Sequence, residues 1–433
     1  MILLEERVMY NDPEKARRRP ARWLVSLMVM LGLVLGLHWA AFAAEEGKKY
    51  EGKVVYQKTV LGKEYRIETI ENEPGNYRIR WGEQELKWEP KPWYDDELKA
   101  KGPLLYTEWL QPLYYPYTIP LEEREKFDAF DVQNSGTFLG PFSAPSFEDQ
   151  FEAHLYAPGA EYRRDKTGFE WNKWYPTSKR VPKWRWDPEP LPEQDGQPYR
   201  KYLFLFRSPR DLLKVGFLQI QYHGKNKEDD NYLYVPTVRK VRRLATANRQ
   251  DVIGGLVLRQ EQNALMTPIH HYKMLRAELC KLQADVAGLG GGGEPANPDE
   301  NAKRVDGLGE PCWVYETTPF REDWWFAKQI NWVGMFSLTN WYTLSYDREG
   351  RLIQTMTWIQ VLSPPGEASS DGVPNCCGRK THLAWGPSTF KDFTTGFWVH
   401  TYPSLRTLNP PIPDEFYNVQ TLIQEPKTID FYR

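Results

Sequence analysis

Cysteine is scarce, with 4 in 433 residues, and no CxxC pair occurs. That absence removes the zinc-ribbon and haem-attachment readings. Charge of one sign is also missing. The chain has 56 Lys+Arg against 58 Asp+Glu, a formal net charge of -2, which excludes a charge-driven nucleic-acid binder. There is no GxSxG elbow, no HExxH and no GxxxxGK[ST] loop. No repeat of 20–50 residues stands out, which argues against a solenoid or propeller. Long helices at regular intervals are absent from the pattern, so a parallel α/β fold is disfavoured. After residue 44 no long apolar run remains.

Aromatic residues and proline are abundant instead: 18 Trp, 25 Tyr, 19 Phe and 34 Pro. A disordered chain would not carry so many rings. Together they point to an aromatic-lined core with much irregular backbone.

Residues 1–43 read as an export signal. Arg17, Arg18, Arg19 and Arg22 precede an uncharged apolar run, Trp23 to Leu37, and Ala41-Phe42-Ala43 has the small-x-small pattern of a cleavage site. We read cleavage after Ala43 and a periplasmic location. An uncleaved inner-membrane anchor is the alternative, since the run from Trp23 to Ala44 is long enough to span a bilayer.

Export makes the cysteines candidates for oxidation. Four cysteines allow three pairings. Cys280 and Cys312 bracket a glycine-rich excursion, 284–310, and a bridge there would close a loop of about 30 residues. Cys376 and Cys377 are adjacent and would bond to each other only with strain. A metal reading of Cys376, Cys377 and His382 lacks the usual ligand spacing, so no metal and no cofactor is assigned. His270 and His271 are neighbours and face opposite ways on a strand. No spacing reveals a catalytic carboxylate pair, and the chain is expected to be non-enzymatic.

The expected fold is mainly β with a few helices. Residues 44–90 read as N-terminal β-hairpins, with a Pro74-Gly75-Asn76 turn. From 91 to 198, where 14 of the prolines fall, we expect loops without long ladder strands and one short helix over Glu122 to Phe130. Residues 199–433 read as a further β domain. Its strand candidates include Lys201 to Phe206, Gly216 to Tyr222 and Val238 to Leu244. Trp341 to Tyr346 and Leu352 to Ile359 form a hairpin about Asp347-Arg348-Glu349-Gly350. A helix is expected at Tyr272 to Leu282.

One segment is unusual. Tyr232, Tyr234 and Pro236 lead into Val238-Arg239-Lys240-Val241-Arg242-Arg243-Leu244, and alternation puts basic residues on both faces of such a strand. Two readings stand side by side. One is an edge strand blunted by charge; the other is a site for an anionic headgroup.

"YLYVPTVRKVRRL" followed by "DVIGG" resembles the outer-membrane lipoprotein-sorting protein family with the LolA/LolB-like fold. The nearest branch is long periplasmic members carrying a domain of unknown function. "WYTLSYDREGRLIQTMTWIQ" and "NPPIPDEFYNVQTL" are similar to later parts of that pattern, so the resemblance spans roughly 199–422. It implies an open antiparallel half-barrel around an apolar cavity. It also implies a carrier of lipid or lipoprotein acyl chains, working with an envelope exporter or an outer-membrane partner. On that reading the candidate ligand-binding residues are Tyr232, Tyr234, Arg239, Arg242, Arg243, Trp341 and Trp358, with the arginines at a cavity rim. The alternative is a carbohydrate-binding or carbohydrate-active protein with Trp171, Trp174, Trp184 and Trp186 as stacking platforms. A third reading, an outer-membrane barrel, is opposed by the proline density.

Overall fold

In a computed structural model, the structure describes residues 52–91, 94, 96–104, 113–114, 117–118, 120–138, 146–158, 163–174, 196–222, 227–245, 250–252, 255, 257–263, 270–280, 303–305, 309–363, 382–408 and 412–424. The export segment, Trp184, Trp186, Cys376 and Cys377 lie outside these residues, as does most of the glycine-rich excursion.

Residues after Gly52 begin with an antiparallel meander: β1 (Val54–Val60), β2 (Lys63–Ile70), β3 (Glu73–Trp81) and β4 (Gln84–Trp88). Its turns use residues with positive φ, among them Gly62, Asn72 and Gly82, whereas the turn expected at Pro74-Gly75-Asn76 lies inside β3, beside a register shift against β2. Alternation buries Tyr65, Ile67, Ile79 and Trp81. Three short helices follow, α1 (Asp96–Lys101), α2 (Leu121–Arg124) and α3 (Ala129–Phe138), around a two-residue ladder of β5 (Leu113–Tyr114) with β6 (Tyr117–Thr118).

The remaining strands form one antiparallel sheet. They are β7 (Ser146–Tyr156), β8 (Arg163–Trp174), β9 (Pro198–Ser208), β10 (Gly216–Tyr222), β11 (Asp230–Val235) and β12 (Lys240–Arg243). After a short helix, α4 (Gln260–Asn263), come β13 (His270–Leu279), β14 (Lys303–Val305), β15 (Pro311–Pro319) and β16 (Lys328–Gly334). Last are β17 (Asn340–Tyr346), β18 (Leu352–Ser363), β19 (His382–Asp392), β20 (Trp398–Leu408) and the helix α5 (Val419–Gln424). The order is β12-β11-β10-β9-β8-β7-β20-β19-β18-β17-β16-β15-β13, with β14 added beside β18. The path ends at β12 and β13, so among the described residues the sheet is open, not a closed barrel.

Four further expectations are corrected. Residues 91–198 do contain long ladder strands, since β7 has 11 residues and β8 has 12. Neither contains proline; Pro145 and Pro158 flank β7 instead, so the prolines mark strand ends rather than forbid strands. The helix expected at Tyr272 to Leu282 is the strand β13, which pairs with β15 from His270↔Pro319 to Leu279↔Pro311. Its Met, Leu, Arg, Ala and Glu favour a helix weakly, and pairing overrides them. The strand expected from Val238 starts only at Lys240, because Pro236 to Arg239 is a turn and Arg239 has φ 50°. The helix expected over Glu122 to Phe130 is interrupted, with α2 ending at Arg124 and α3 starting at Ala129.

We call inner the sheet face that carries Phe204 and Phe217. The opposite face carries Leu203, Leu205, Leu218 and Tyr234, covered by Ile412, Phe416, Tyr417 and Leu422 near the C-terminus. At the β13–β15 side, α3 lies over the inner face, where Phe130 meets Tyr272 at 5.9 Å and Gln133 bonds the Tyr315 hydroxyl. The meander packs against β15–β17 in a separate core cluster. Cys280 and Cys312 are joined by a disulfide within that cluster, with Cα atoms 5.8 Å apart.

Candidate functional site

The inner face of β8–β11 is built rung by rung from side-chain alternation. Register places Gly168 beside Phe206, Glu170 beside Phe204 and Asn172 beside Tyr202. It continues Phe204 to Phe217, Tyr202 to Gln219 and Arg200 to Gln221. Thus one face is aromatic at one end of the strands and amide-rich at the other, because β9 reads Arg200, Tyr202, Phe204, Phe206 at every second position.

The aromatic end extends across the sheet. Phe151 of β7 stacks on Phe204 of β9 with centroids 4.8 Å apart, and Phe204 meets Phe206 edge-on at 4.7 Å. Strands two places apart lie roughly 10 Å from each other. The rings close that gap over Gly168, where a Cβ would stand 2.3 Å from Phe151 Cε1. Ala153, Val399, Phe390 and Met356 continue the apolar surface onto β7, β20, β19 and β18, with Trp358 packed against it.

Val257 and Leu258 cover this surface and are 7% and 6% exposed. They belong to a strap described at 250–252, 255 and 257–263, which also makes polar contacts. Gln354 Nε2 donates to the Val257 carbonyl at 3.1 Å, and Gln262 Nε2 donates to Gln354 Oε1 at 2.6 Å. Arg259 caps the strap internally by donating to the Gln250 carbonyl at 2.6 Å and lies 4.5 Å from the Trp325 ring centroid. Burial pushes its guanidinium pKa down. The far end is pinned by Glu261, whose carboxylate accepts the indole N–H groups of Trp324 and Trp325 and stands 3.2 Å from His270 Nε2. Glu261 and His270 side chains are only 11% and 10% exposed.

At the other end of the strands lies a buried polar ladder. Tyr202 donates its hydroxyl to Glu170 at 2.8 Å. Arg200 Nε donates to Asn172 at 2.9 Å and Nη1 to Gln221 at 3.3 Å; Gln221 in turn donates to Asp229. Gln219 Nε2 donates to Asn231 Oδ1 at 2.9 Å.

The candidate residues from the sequence scatter. Tyr232 and Tyr234 point to the opposite face and pack with Leu218 and Trp171. Arg239 is exposed in its turn, and Arg242 is exposed on the edge strand β12. Arg243, whose side chain is 63% exposed, pairs with Asp230 at 2.7 Å. Trp341 is buried in the β15–β17 cluster and donates to Glu310 at 2.8 Å. Of the seven, Trp358 alone joins the apolar inner surface. Trp171, expected as an exposed sugar platform, is 5% exposed and meets Phe416 at 5.3 Å; the Trp174 side chain lies outside the described residues. Sequence reasoning missed Phe204, Phe206, Phe217 and the strap. Both faces of β9 and β10 are apolar, so alternation alone does not say which face carries a site.

A family model described only as an uncharacterized protein matches residues 199–275. No curated protein matches the chain. The chain is similar to a putative outer membrane lipoprotein-sorting protein domain from Vibrio parahaemolyticus, at 15% identity and a TM-score of 0.46, covering 70% of this chain and 100% of that one. It is similar to a DUF1329 family protein from Desulfovibrio piger at 14% identity and a TM-score of 0.45, with coverage of 70% and 100%. A LolA superfamily protein from Nitrosomonas europaea is 13% identical with a TM-score of 0.39, with coverage of 68% and 99%.

Proposed function

We propose that this protein is a non-enzymatic carrier or binding protein for a hydrophobic ligand, a lipid or lipoprotein acyl chain. The observation that carries the reading is the aromatic inner surface of Phe151, Phe204, Phe206 and Phe217 beneath Val257 and Leu258 of the strap. An acyl chain in water costs about 0.8 kcal/mol per CH₂, so a carrier needs an apolar surface that can be uncovered and covered again. The strap suits that task. Its hydrogen bonds exchange with water at small net cost, about 0.5–1.5 kcal/mol each. A ligand chain taking the place of Val257 and Leu258 restores the apolar contact.

The N-terminal arginines, apolar run and Ala41-Phe42-Ala43 support a periplasmic location. There the carrier would receive or deliver its ligand at an envelope exporter or an outer-membrane partner. The sugar-platform alternative loses support at Trp171, which faces the core.

Native mass spectrometry of protein taken from the periplasm tests the reading. Adducts with lipid masses are expected, and so is binding of a fluorescent fatty-acid probe that Phe204→Asp abolishes. A clean apo mass together with no probe binding would refute it.

A further inference from the structure

We infer that the polar ladder on β8–β11 recognises the ligand's headgroup, and that this headgroup carries O–H or N–H donors. The inference rests on the carrier reading above and adds the chemistry at the other end of the ligand. Its first support is position. Tyr202, Gln219 and Asn231 form the rung next to Glu170, Phe204, Phe217 and Leu233, so the polar ladder starts at Glu170 within the last aromatic rung and its amides one residue pair beyond. A chain lying along Phe206 and Phe204 would bring its head onto Gln219.

The second support is an unfilled acceptor. Gln219 is 1% exposed, and among the described residues its Oε1 accepts no hydrogen bond. The amide orientation is fixed by its neighbours. Asn231 Nδ2 donates to the Asp229 carbonyl, which leaves Asn231 Oδ1 to accept from Gln219 Nε2 and turns Gln219 Oε1 away from that partner. A buried acceptor left without a donor is costly, and a hydroxyl or ammonium on a ligand would satisfy it.

Charge on this face is mixed, so the unfilled acceptor, not net charge, sets the specificity. The polar rungs and the adjoining Glu170 bring two carboxylates, Glu170 and Asp229, beside the guanidinium of Arg200, and register places buried Lys166 of β8 and exposed Arg242 of β12 on the same face. A headgroup site at the ladder differs from the anionic-headgroup reading of Arg239, Arg242 and Arg243, which lie in the turn and on the edge strand.

The test is displacement of a bound uncharged fluorescent probe, N-phenylnaphthylamine, from the full-length purified chain. The competitors are methyl laurate, which has no donor, and monolauroylglycerol, which has the same acyl chain and two hydroxyls. Monolauroylglycerol is expected to displace the probe at a concentration at least tenfold lower. Gln219→Met should erase that ratio while leaving methyl laurate displacement unchanged, and Gln219→Glu, which keeps an acceptor oxygen, should retain most of it. Equal displacement by both competitors from the unaltered protein would overturn the headgroup inference and leave the carrier reading intact. Failure of the probe and both lipids to bind would overturn the carrier reading, and the headgroup inference with it. The ratio on the unaltered protein decides even if Gln219→Met does not fold.

Discussion

Gly168 stands where two aromatic side chains from strands on either side of β8 meet across it. A Cβ there would lie 2.3 Å from Phe151 Cε1 and 2.5 Å from the Leu205 carbonyl oxygen. Neither the ring, stacked on Phe204, nor the ladder carbonyl can move freely. Gly168→Ala is therefore expected to destabilise the fold by about 1–3 kcal/mol, the usual cost of overpacking, read as a lowered thermal midpoint. It should also weaken binding of the fatty-acid probe, because the aromatic surface is what it displaces. Glu261 is the second residue whose alteration separates two effects. Glu261→Gln replaces one acceptor oxygen by an amide NH₂ that faces indole N–H groups of Trp324 and Trp325. Loss of one such bond should favour strap opening by about 1–3 kcal/mol. Hydrogen exchange at the Arg259 and Gln262 amides should then quicken, and probe association should speed up, with little change in the global unfolding midpoint. Unchanged exchange at those amides would argue that Glu261 does not hold the strap.

Among the elements, the turn between β16 and β17 depends on one buried carboxylate. Glu310 accepts from the backbone N–H groups of Phe336 and Ser337, the Ser337 hydroxyl and the Trp341 indole, at 2.6–3.0 Å. Arg124 of α2 donates to the carbonyls of Met335 and Phe336 in the same turn. The turn thereby joins the meander and helices to the large sheet, and the Tyr65 hydroxyl donates to the neighbouring Gly309 carbonyl. Burial pushes the Glu310 carboxyl pKa up, partly offset by its four donors. A carboxyl with a raised folded pKa contributes stability that is fully present below its unfolded value and is lost as pH rises through the folded one. Glu310→Gln places an NH₂ among donors and should cost about 1–3 kcal/mol. The deficit should be largest in acid and shrink as pH rises above the ordinary glutamate range, measured by denaturant unfolding at several pH values. A deficit that grows with pH would contradict the sign. Nothing in the sequence singled out Glu310, because its four donors come from a turn that alternation does not describe. The hairpin of β17 and β18 was legible, since Asp347 to Gly350 carries turn chemistry between two alternating runs. The meander was legible by its alternation, although its second turn falls at Glu71-Asn72 and not at Pro74-Gly75-Asn76. By contrast β7 and β8 were hidden by surrounding prolines, and β13 by residues whose helical propensity yields to pairing. At the site, Trp358, named through the family resemblance and not through its facing, packs against the apolar inner surface. The strap was not legible, because its function as a cover depends on contacts with Gln354, Trp324 and Trp325, far away in sequence.

For the molecule as a whole, the centre of the sheet is the pairing of β7 with β20, whose residues Tyr156 and Trp398 are 242 positions apart and stack at 3.8 Å. Strands nearest in sequence spread outward from that seam on both sides, ending at β12 and β13. The sheet is thus complete only when distant parts of the chain have met, and edge strands far from the seam gain little from it. At the β13 edge the Cys280–Cys312 disulfide fixes both ends of the excursion, at a sequence separation of 32. Loop-closure entropy for that separation gives about 3–4 kcal/mol of stabilisation. Replacing both cysteines by alanine should therefore lower stability by roughly that amount, with a small further loss from two shortened buried side chains. Both sulfurs lie in the core cluster shared with the meander, whereas the aromatic inner surface under the strap is a separate cluster. Probe affinity at temperatures where the variant stays folded should consequently match that of the unaltered protein. Thermal unfolding and probe titration on the same preparation separate the two quantities. A variant that keeps its midpoint would show that the bridge does not stabilise this edge, and one that folds normally but loses the probe would show that the β13 edge and the ligand surface are coupled.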